Sequence, residues 1–169
     1  YRALSLYEDL LATSNDVRRR QDAEYGIAEA WLGAAEDAED EAWRASAASK
    51  ARTHFQSFID RYPNDWRVDD ARVGILDALV AAGRFDAAAD ELRRSKRAVK
   101  DTQVLARPTF AIASALHEQG RTEAALPLLY SLAQRHPGTW IAPYAWCRLA
   151  ELLQELGHQE EAINAWIAA

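Results

Sequence analysis

The side chains that could ligate a metal ion or act as nucleophiles are few and widely spaced in this sequence. The histidines, His54, His117, His136 and His158, do not share the short spacings that bring metal ligands together. Cys147, the only cysteine, has no His beside it and stands inside an apolar helical pattern, as a packed thiol does. The sequence has no phosphate-binding glycine loop and no nucleophile motif. We therefore expect no metal, no cofactor and no enzymatic activity.

The composition is that of a folded chain with a core. Of 169 residues, 49% are hydrophobic and 27% are charged, which is ordinary for a globular protein. No apolar run approaches the roughly 20 residues of a membrane-spanning helix. The net charge of −6 argues against nucleic acid as a partner, because such affinity needs a surplus of Lys and Arg to neutralise phosphates. The chain contains no Met, so we expect it to be a segment of a longer protein.

An internal repeat is the strongest signal in the sequence. Gly83, Gly120 and Gly157 are spaced 37 residues apart, and each is followed by polar residues, an acid and an alanine. Glycine ends a helix without strain in the left-handed conformation, and the acid complements the positive end of the next helix. The pattern therefore predicts pairs of antiparallel helices.

The same register predicts the contacts inside each pair. A small alanine follows each glycine by five residues, and a large apolar residue follows that alanine by four. These positions are Ala88, Ala125 and Ala162, and then Leu92, Leu129 and Trp166. Pro63 and Pro137 occupy equivalent places, where proline ends the second helix because it has no N–H to donate.

This pattern resembles the tetratricopeptide repeat family over nearly the whole chain. The resemblance implies an all-α fold, a right-handed α-solenoid of antiparallel helix pairs with about nine helices, and a role in binding proteins. Leu76 departs from it, since the family prefers Gly or Ala there. Residues 58–63 and 132–137 resemble bacterial cell-envelope members, the outer-membrane assembly lipoproteins and Tol-associated periplasmic factors. That narrower resemblance favours the periplasm or cell envelope over the cytoplasm.

The anchors divide the chain into a single array of repeats. Residues 1–15 hold the second helix of a truncated repeat, and residues 16–63 hold a repeat with an insertion. Residues 64–100 and 101–138 are two regular repeats, and residues 139–169 are a last repeat that could be truncated. In the second of these, eleven residues separate Ala35, where the turn should fall, from the next register point at Ser46. We expect both helices to be about one and a half turns longer, with Trp43 projecting beyond the stack.

The resemblance implies that the first helices of successive pairs line a concave groove. This predicted partner-binding surface is acidic and aromatic, which suits a protein or peptide segment carrying Lys or Arg. The alternative is a solvated face without a partner. The site residues that the resemblance implies are Tyr25, Glu29, Asp70, Asp77, Arg107, Phe110, His117, Tyr144, Glu151 and Gln154.

Three other interpretations stay open at the level of sequence. Arg93, Arg97 and Lys100 are spaced to lie on one helical stripe, which could bind anions, although such a run of charges more often forms a solvated outer face. The array could instead be a regulatory or substrate-presenting module of a larger enzyme or envelope assembly. Its terminal helices could also pair between copies, since repeats normally cover one another.

Overall fold

The structure, a computed structural model, describes residues 2–169, and Tyr1, part of the first predicted segment, lies outside them. Within this range the fold is all-α, with nine α-helices, one 3-10 turn at Thr102–Leu105 and no strand. The predicted fold class and number of helices are confirmed. The helices are α1 Arg2–Thr13, α2 Val17–Glu36, α3 Glu41–Arg61, α4 Val68–Ala81, α5 Phe85–Ala98, α6 Ala106–Glu118, α7 Thr122–Arg135, α8 Ala142–Glu155 and α9 Gln159–Ala168.

The chain folds as two compact units, one ending at Lys100 and one running from Asp101 to Ala169. In the first unit α2 packs against α1 and α3, and α4 packs against α2, α3 and α5. In the second unit α6 packs against α7, α7 against α8, and α8 against α9. The division falls at a predicted repeat boundary, while the assignment of all repeats to a single array stays a prediction.

The repeated glycines end three of the helices as predicted. Gly83, Gly120 and Gly157 follow α4, α6 and α8 with positive φ angles of 67°, 73° and 82°. After Gly83, the N–H of Arg84 donates to the carbonyl of Leu79 at 2.9 Å, the long bond of a Schellman motif. Equivalent bonds follow the other two glycines. The left-handed conformation favours glycine here because a Cβ would add strain.

The insertion lengthens α2 and α3 as predicted, to 20 and 21 residues against 14 in α4 and in α5. The prediction that Trp43 projects is wrong. Its ring is half-buried and lies 6.2 Å from the ring of Trp31 on the facing helix. The Lys50 ammonium lies 3.9 Å from the centre of the Trp31 ring, a cation–π contact that helps to hold the extended hairpin together.

Close packing in the first unit depends on Gly74 of α4. A Cβ at Gly74 would lie 2.5 Å from atoms of the Phe55 ring, and Phe55, on α3, is only 1% exposed. The glycine therefore lets α4 rest on an aromatic ring. Leu76, which departs from the family preference for Gly or Ala, is a fully buried core residue, and the close contact is made two residues earlier by Gly74.

Substituting alanine for two helical glycines, Gly74 and Gly33, should change the free energy of unfolding in opposite directions. We expect Gly74→Ala to lower the free energy of unfolding by about 1–2 kcal/mol, since overpacking costs about 1–3 kcal/mol and better helix propensity returns less than about 1. Gly33 in α2 has nothing within 4 Å of its would-be Cβ, so Gly33→Ala should raise it by about 0.5–1 kcal/mol. Urea denaturation measures both. A gain in stability from both variants would contradict the Gly74 contact.

Most of the predicted core positions are buried. They are Ala88, Leu92, Ala125, Leu129 and Ala162. Trp166 corrects the prediction, because 44% of its surface is exposed, and Ile163 and Ile167 beside it are exposed at 57% and 80%. The reason is that α9 packs mainly against α8, so the side of α9 that carries these residues has little against it.

Candidate functional site

In the first unit, predicted site residues on two helices come together around Tyr25. Asp22, Tyr25 and Glu29 are three and four residues apart, which places them on one face of α2. Asp70, in the first turn of α4, is close enough to raise the pKa values of both Tyr25 and Glu29. We call Asp22, Tyr25, Glu29, Asp70 and the neighbouring Arg67 the Tyr25 cluster.

Arg67 enters the cluster from the segment between α3 and α4. Its guanidinium donates to both carboxylate oxygens of Asp65, at 3.0 and 2.9 Å, and to Asp22 at 2.7 Å. The guanidinium carbon lies 5.2 Å from the centre of the Tyr25 ring and 5.2 Å from that of Phe58. The chain therefore already holds one guanidinium against an aromatic ring beside carboxylates at this place.

The cluster keeps a surplus of negative charge next to an aromatic surface. Partial burial raises the pKa of the Tyr25 hydroxyl, which hydrogen-bonds Glu29, and the negative charges of Glu29 and Asp70 raise it further. Partial burial likewise raises the pKa of Glu29; Arg67 opposes this effect and Asp70 adds to it. Both groups are thus partly dehydrated in a negative potential, which favours the approach of a cation.

The remaining predicted residue of this unit is outside the cluster. Asp77 is half-buried and follows Asp70 by seven residues, about two turns of α4. Trp66, which the sequence reasoning missed, is 80% exposed and lies 5.6 Å from the Arg67 guanidinium carbon. An exposed tryptophan beside the cluster extends the aromatic surface available for contact.

In the second unit the predicted residues divide between α6 and α8. On α6, Arg107 is exposed, and Phe110 and His117 are half-buried; His117 contacts Glu155 of α8 at 3.7 Å. Along α8, Tyr144, Glu151 and Gln154 are exposed, and Glu151 pairs with Arg148 at 3.1 Å. The Tyr144 ring is edge-on to Trp140, with 6.1 Å between ring centres. Trp140 is 73% exposed and was also missed.

The predicted basic stripe is not continuous. Arg93 and Arg97 are exposed on α5, and Arg93 pairs with Asp90. Lys100 lies beyond the helix, because α5 ends at Ala98 and Val99 is extended. The backbone N–H of Lys100 donates to the Asp69 carboxylate at 3.0 Å, which holds the chain off the helical path. The prediction that all three cations share one stripe is therefore wrong.

A groove of about 650 Å³ lies between α7, α8 and α9, open to solvent along one side. Its apolar lining includes Leu126, Pro127 and Tyr130 of α7, and Trp146 and Leu149 of α8. Periodicity places Trp146 about 200° around α8 from Tyr144, so the groove occupies the side of that helix opposite the predicted surface. None of the predicted site residues lines it.

The described residues were also compared with the requirements of a metal site and of a membrane-spanning helix. In residues 2–169 no group of three or more His, Cys, Asp or Glu side chains is arranged to hold a metal ion. Over the same range, no helix combines the length and the apolar character required to span a bilayer.

Comparison with known proteins agrees with this fold. Residues 22–65, which include most of α2 and all of α3, match a tetratricopeptide repeat model. Among solved structures, the chain is similar to a crystal structure of a Rap protein complexed with competence and sporulation factor, with 15% identity and a TM-score of 0.60. The similarity covers 96% of this chain and 46% of that one, so this chain spans less than half the length of the Rap protein. No curated protein matches the sequence.

The paired helices and glycine turns define a helical repeat protein of the α-solenoid class. The match over α2 and α3 supports its placement in the tetratricopeptide repeat family. The narrower resemblance to cell-envelope members has no support from these comparisons.

Proposed function

We propose that this chain is a protein-interaction module that binds a basic segment of a partner protein at the Tyr25 cluster. The observation that carries the proposal is the Arg67 guanidinium, held 5.2 Å from the Tyr25 ring and bonded to Asp22. The exposed carboxylates of Glu29 and Asp70 stand on the same two helices. A partner Lys or Arg approaching them meets a negative potential and an aromatic ring.

The tetratricopeptide match supports an interaction module in general, and the comparison with the Rap protein is in keeping with it. That protein was crystallised in complex with competence and sporulation factor. In the second unit, the exposed ring of Tyr144 and the half-buried ring of Phe110 are the aromatic positions of the predicted surface. We propose both as contact residues of the second unit in its own right, because rigid aromatic side chains are the usual anchors of such contacts.

The proposal is tested by affinity purification of the full-length tagged protein from its own source, followed by mass spectrometry. We expect a Tyr25→Ala, Phe110→Ala, Tyr144→Ala variant to release a protein partner that the wild type retains, because alanine removes the anchors. Circular dichroism must show that the variant is folded. The control changes Leu6 and Val17 to alanine, since these are 61% and 64% exposed apolar residues outside the proposed surfaces. A partner list unchanged in the triple variant would contradict the proposal.

The other expectations stay hypotheses. A regulatory or substrate-presenting role would be decided by the domains of the full-length protein, and a cell-envelope location depends on residues 58–63 and 132–137 alone. Anion binding at α5 now depends on Arg93 and Arg97 without Lys100. Self-association is motivated by the exposed apolar side of α9, where Trp166 stands between Ile163 and Ile167.

A further inference from the structure

The groove between α7, α8 and α9 is an apolar surface left open in the second unit. Leu149 and Leu153 of α8 are buried at 3% and 7% exposure, and the exposed ring of Tyr130 meets that of Trp146 edge-on at 6.2 Å. Ala165 on α9 adds a small residue to the lining. A volume of about 650 Å³ is within the range of about 300–1,000 Å³ typical of binding pockets.

The charged side chains that line this groove are both acidic. Glu123 lies in the first turn of α7, and Glu161 lies in the first turn of α9. The Oε1 atom of Glu161 lies 3.3 Å from the Nδ1 atom of the His158 ring. The polar residue that accompanies them, Asn164, is neutral. The groove therefore joins an apolar lining to a negative rim, which is complementary to a basic amphipathic segment.

The shape of the groove favours a helical occupant over a small molecule. It is lined by three helices and is open along one side, so it does not enclose a ligand. An amphipathic helix can lay side chains at positions i, i+3, i+4 and i+7 into such a groove while its polar face stays in water. Lys or Arg at the edge of that helix would then face Glu123 and Glu161.

We infer that this groove is a second partner-binding site, which binds an amphipathic helix with apolar anchors and flanking Lys or Arg. The site uses none of the residues of the Tyr25 cluster, so it stands whether or not the proposed function is correct. It gives the chain a second recognition surface, distinct in chemistry because its anchors enter an apolar groove.

The test uses the whole chain and three synthetic peptides in isothermal titration calorimetry. The first has Leu at i, i+3, i+4 and i+7 with Lys on the polar face, the second has Glu in place of Lys, and the third has the Leu and Lys residues scrambled. We expect the first to bind at least about tenfold more tightly than either control peptide, because only it matches both the groove and the rim.

Variants locate the binding. Tyr130→Ala removes a groove wall that is 51% exposed, and it should weaken binding of the Lys peptide about tenfold, as loss of an aromatic anchor does. Glu123→Arg with Glu161→Arg should weaken it about tenfold and reverse its salt dependence. Ile163→Ala on α9, and Glu118→Arg with Glu160→Arg, are the matched controls outside the groove, and they should leave binding within about twofold.

Three results would overturn the inference. They are absence of binding by the Lys peptide, equal binding of the Lys, Glu and scrambled peptides, and equal losses in the groove variants and their controls. Because Tyr130 is half exposed and both glutamates are at the surface, these variants should fold, and circular dichroism checks that they do. The first of these results, together with capture of an apolar small molecule, would show that the groove holds a small ligand instead of a helix.

Discussion

Asp65→Asn is expected to lower the free energy of unfolding by about 3 kcal/mol at pH 7. The Asp65 and Arg67 side chains are only 5% and 12% exposed, and Asp65 accepts two guanidinium bonds and the backbone N–H of Arg67 at 2.9 Å. Asparagine at position 65 removes the negative charge and one of the two acceptor oxygens. The nearly buried Arg67 guanidinium then keeps only the exposed carboxylate of Asp22 as its anionic hydrogen-bond partner. Urea denaturation measures the loss. Asp60→Asn, on the exposed face of α3, is the control and should change stability by less than about 0.5 kcal/mol.

The same pair sets a pH dependence with a definite sign. The hydrogen bonds from Arg67 hold the pKa of Asp65 below its usual range. Its contribution to stability is therefore present above the ordinary carboxyl pKa of about 3.9 and is lost as the pH falls through the lowered folded value. The stability difference between wild type and Asp65→Asn should shrink below about pH 4. A constant difference from pH 7 to pH 3 would show that the charge of Asp65 does not carry the effect.

Local signals in the sequence predicted the helices and turns. The glycines with positive φ end their helices through hydrogen bonds between residues close in sequence. Gly83 and its equivalents could therefore be recognised from the neighbouring residues alone. Tyr25 and Glu29 were identified through the resemblance to the tetratricopeptide repeat family, which implies that both lie on the groove side of the first helix of their repeat. Lys100 was placed wrongly because the end of α5 depends on a bond from its backbone to Asp69, 31 residues earlier. A helical spacing cannot show such a contact.

The residues that were missed belong to contacts between elements. Arg67 reaches Asp22 across 45 residues, and the groove needs the facing sides of three helices. One missed signal was readable: Trp66 and Trp140 each follow a proline by three residues and are 74 residues apart, two repeat lengths. Both are largely exposed, and this spacing could have identified them from the sequence as equivalent positions of two repeats.

Neutralising the exposed carboxylates of Glu29 and Asp70 in the Tyr25 cluster should weaken partner binding by about tenfold or more. Glu29→Gln with Asp70→Asn removes the attraction for a partner cation and leaves the Asp22, Arg67 and Asp65 contacts in place. Each lost charge contact is worth about 0.2–1 kcal/mol at a surface and more when it is dehydrated, and 1.4 kcal/mol corresponds to tenfold. The affinity of wild type should also fall with added salt more steeply than that of the variant.

The most direct measurement of the central claim is the dissociation constant of the purified partner for wild type, for Glu29→Gln with Asp70→Asn, and for Glu36→Gln with Asp37→Asn. The last pair changes the same number of exposed charges at the turn between α2 and α3. Binding about tenfold weaker in the first variant, and within about twofold of wild type in the second, is the predicted result. Equal affinities in all three proteins would contradict recognition of a basic segment at the Tyr25 cluster.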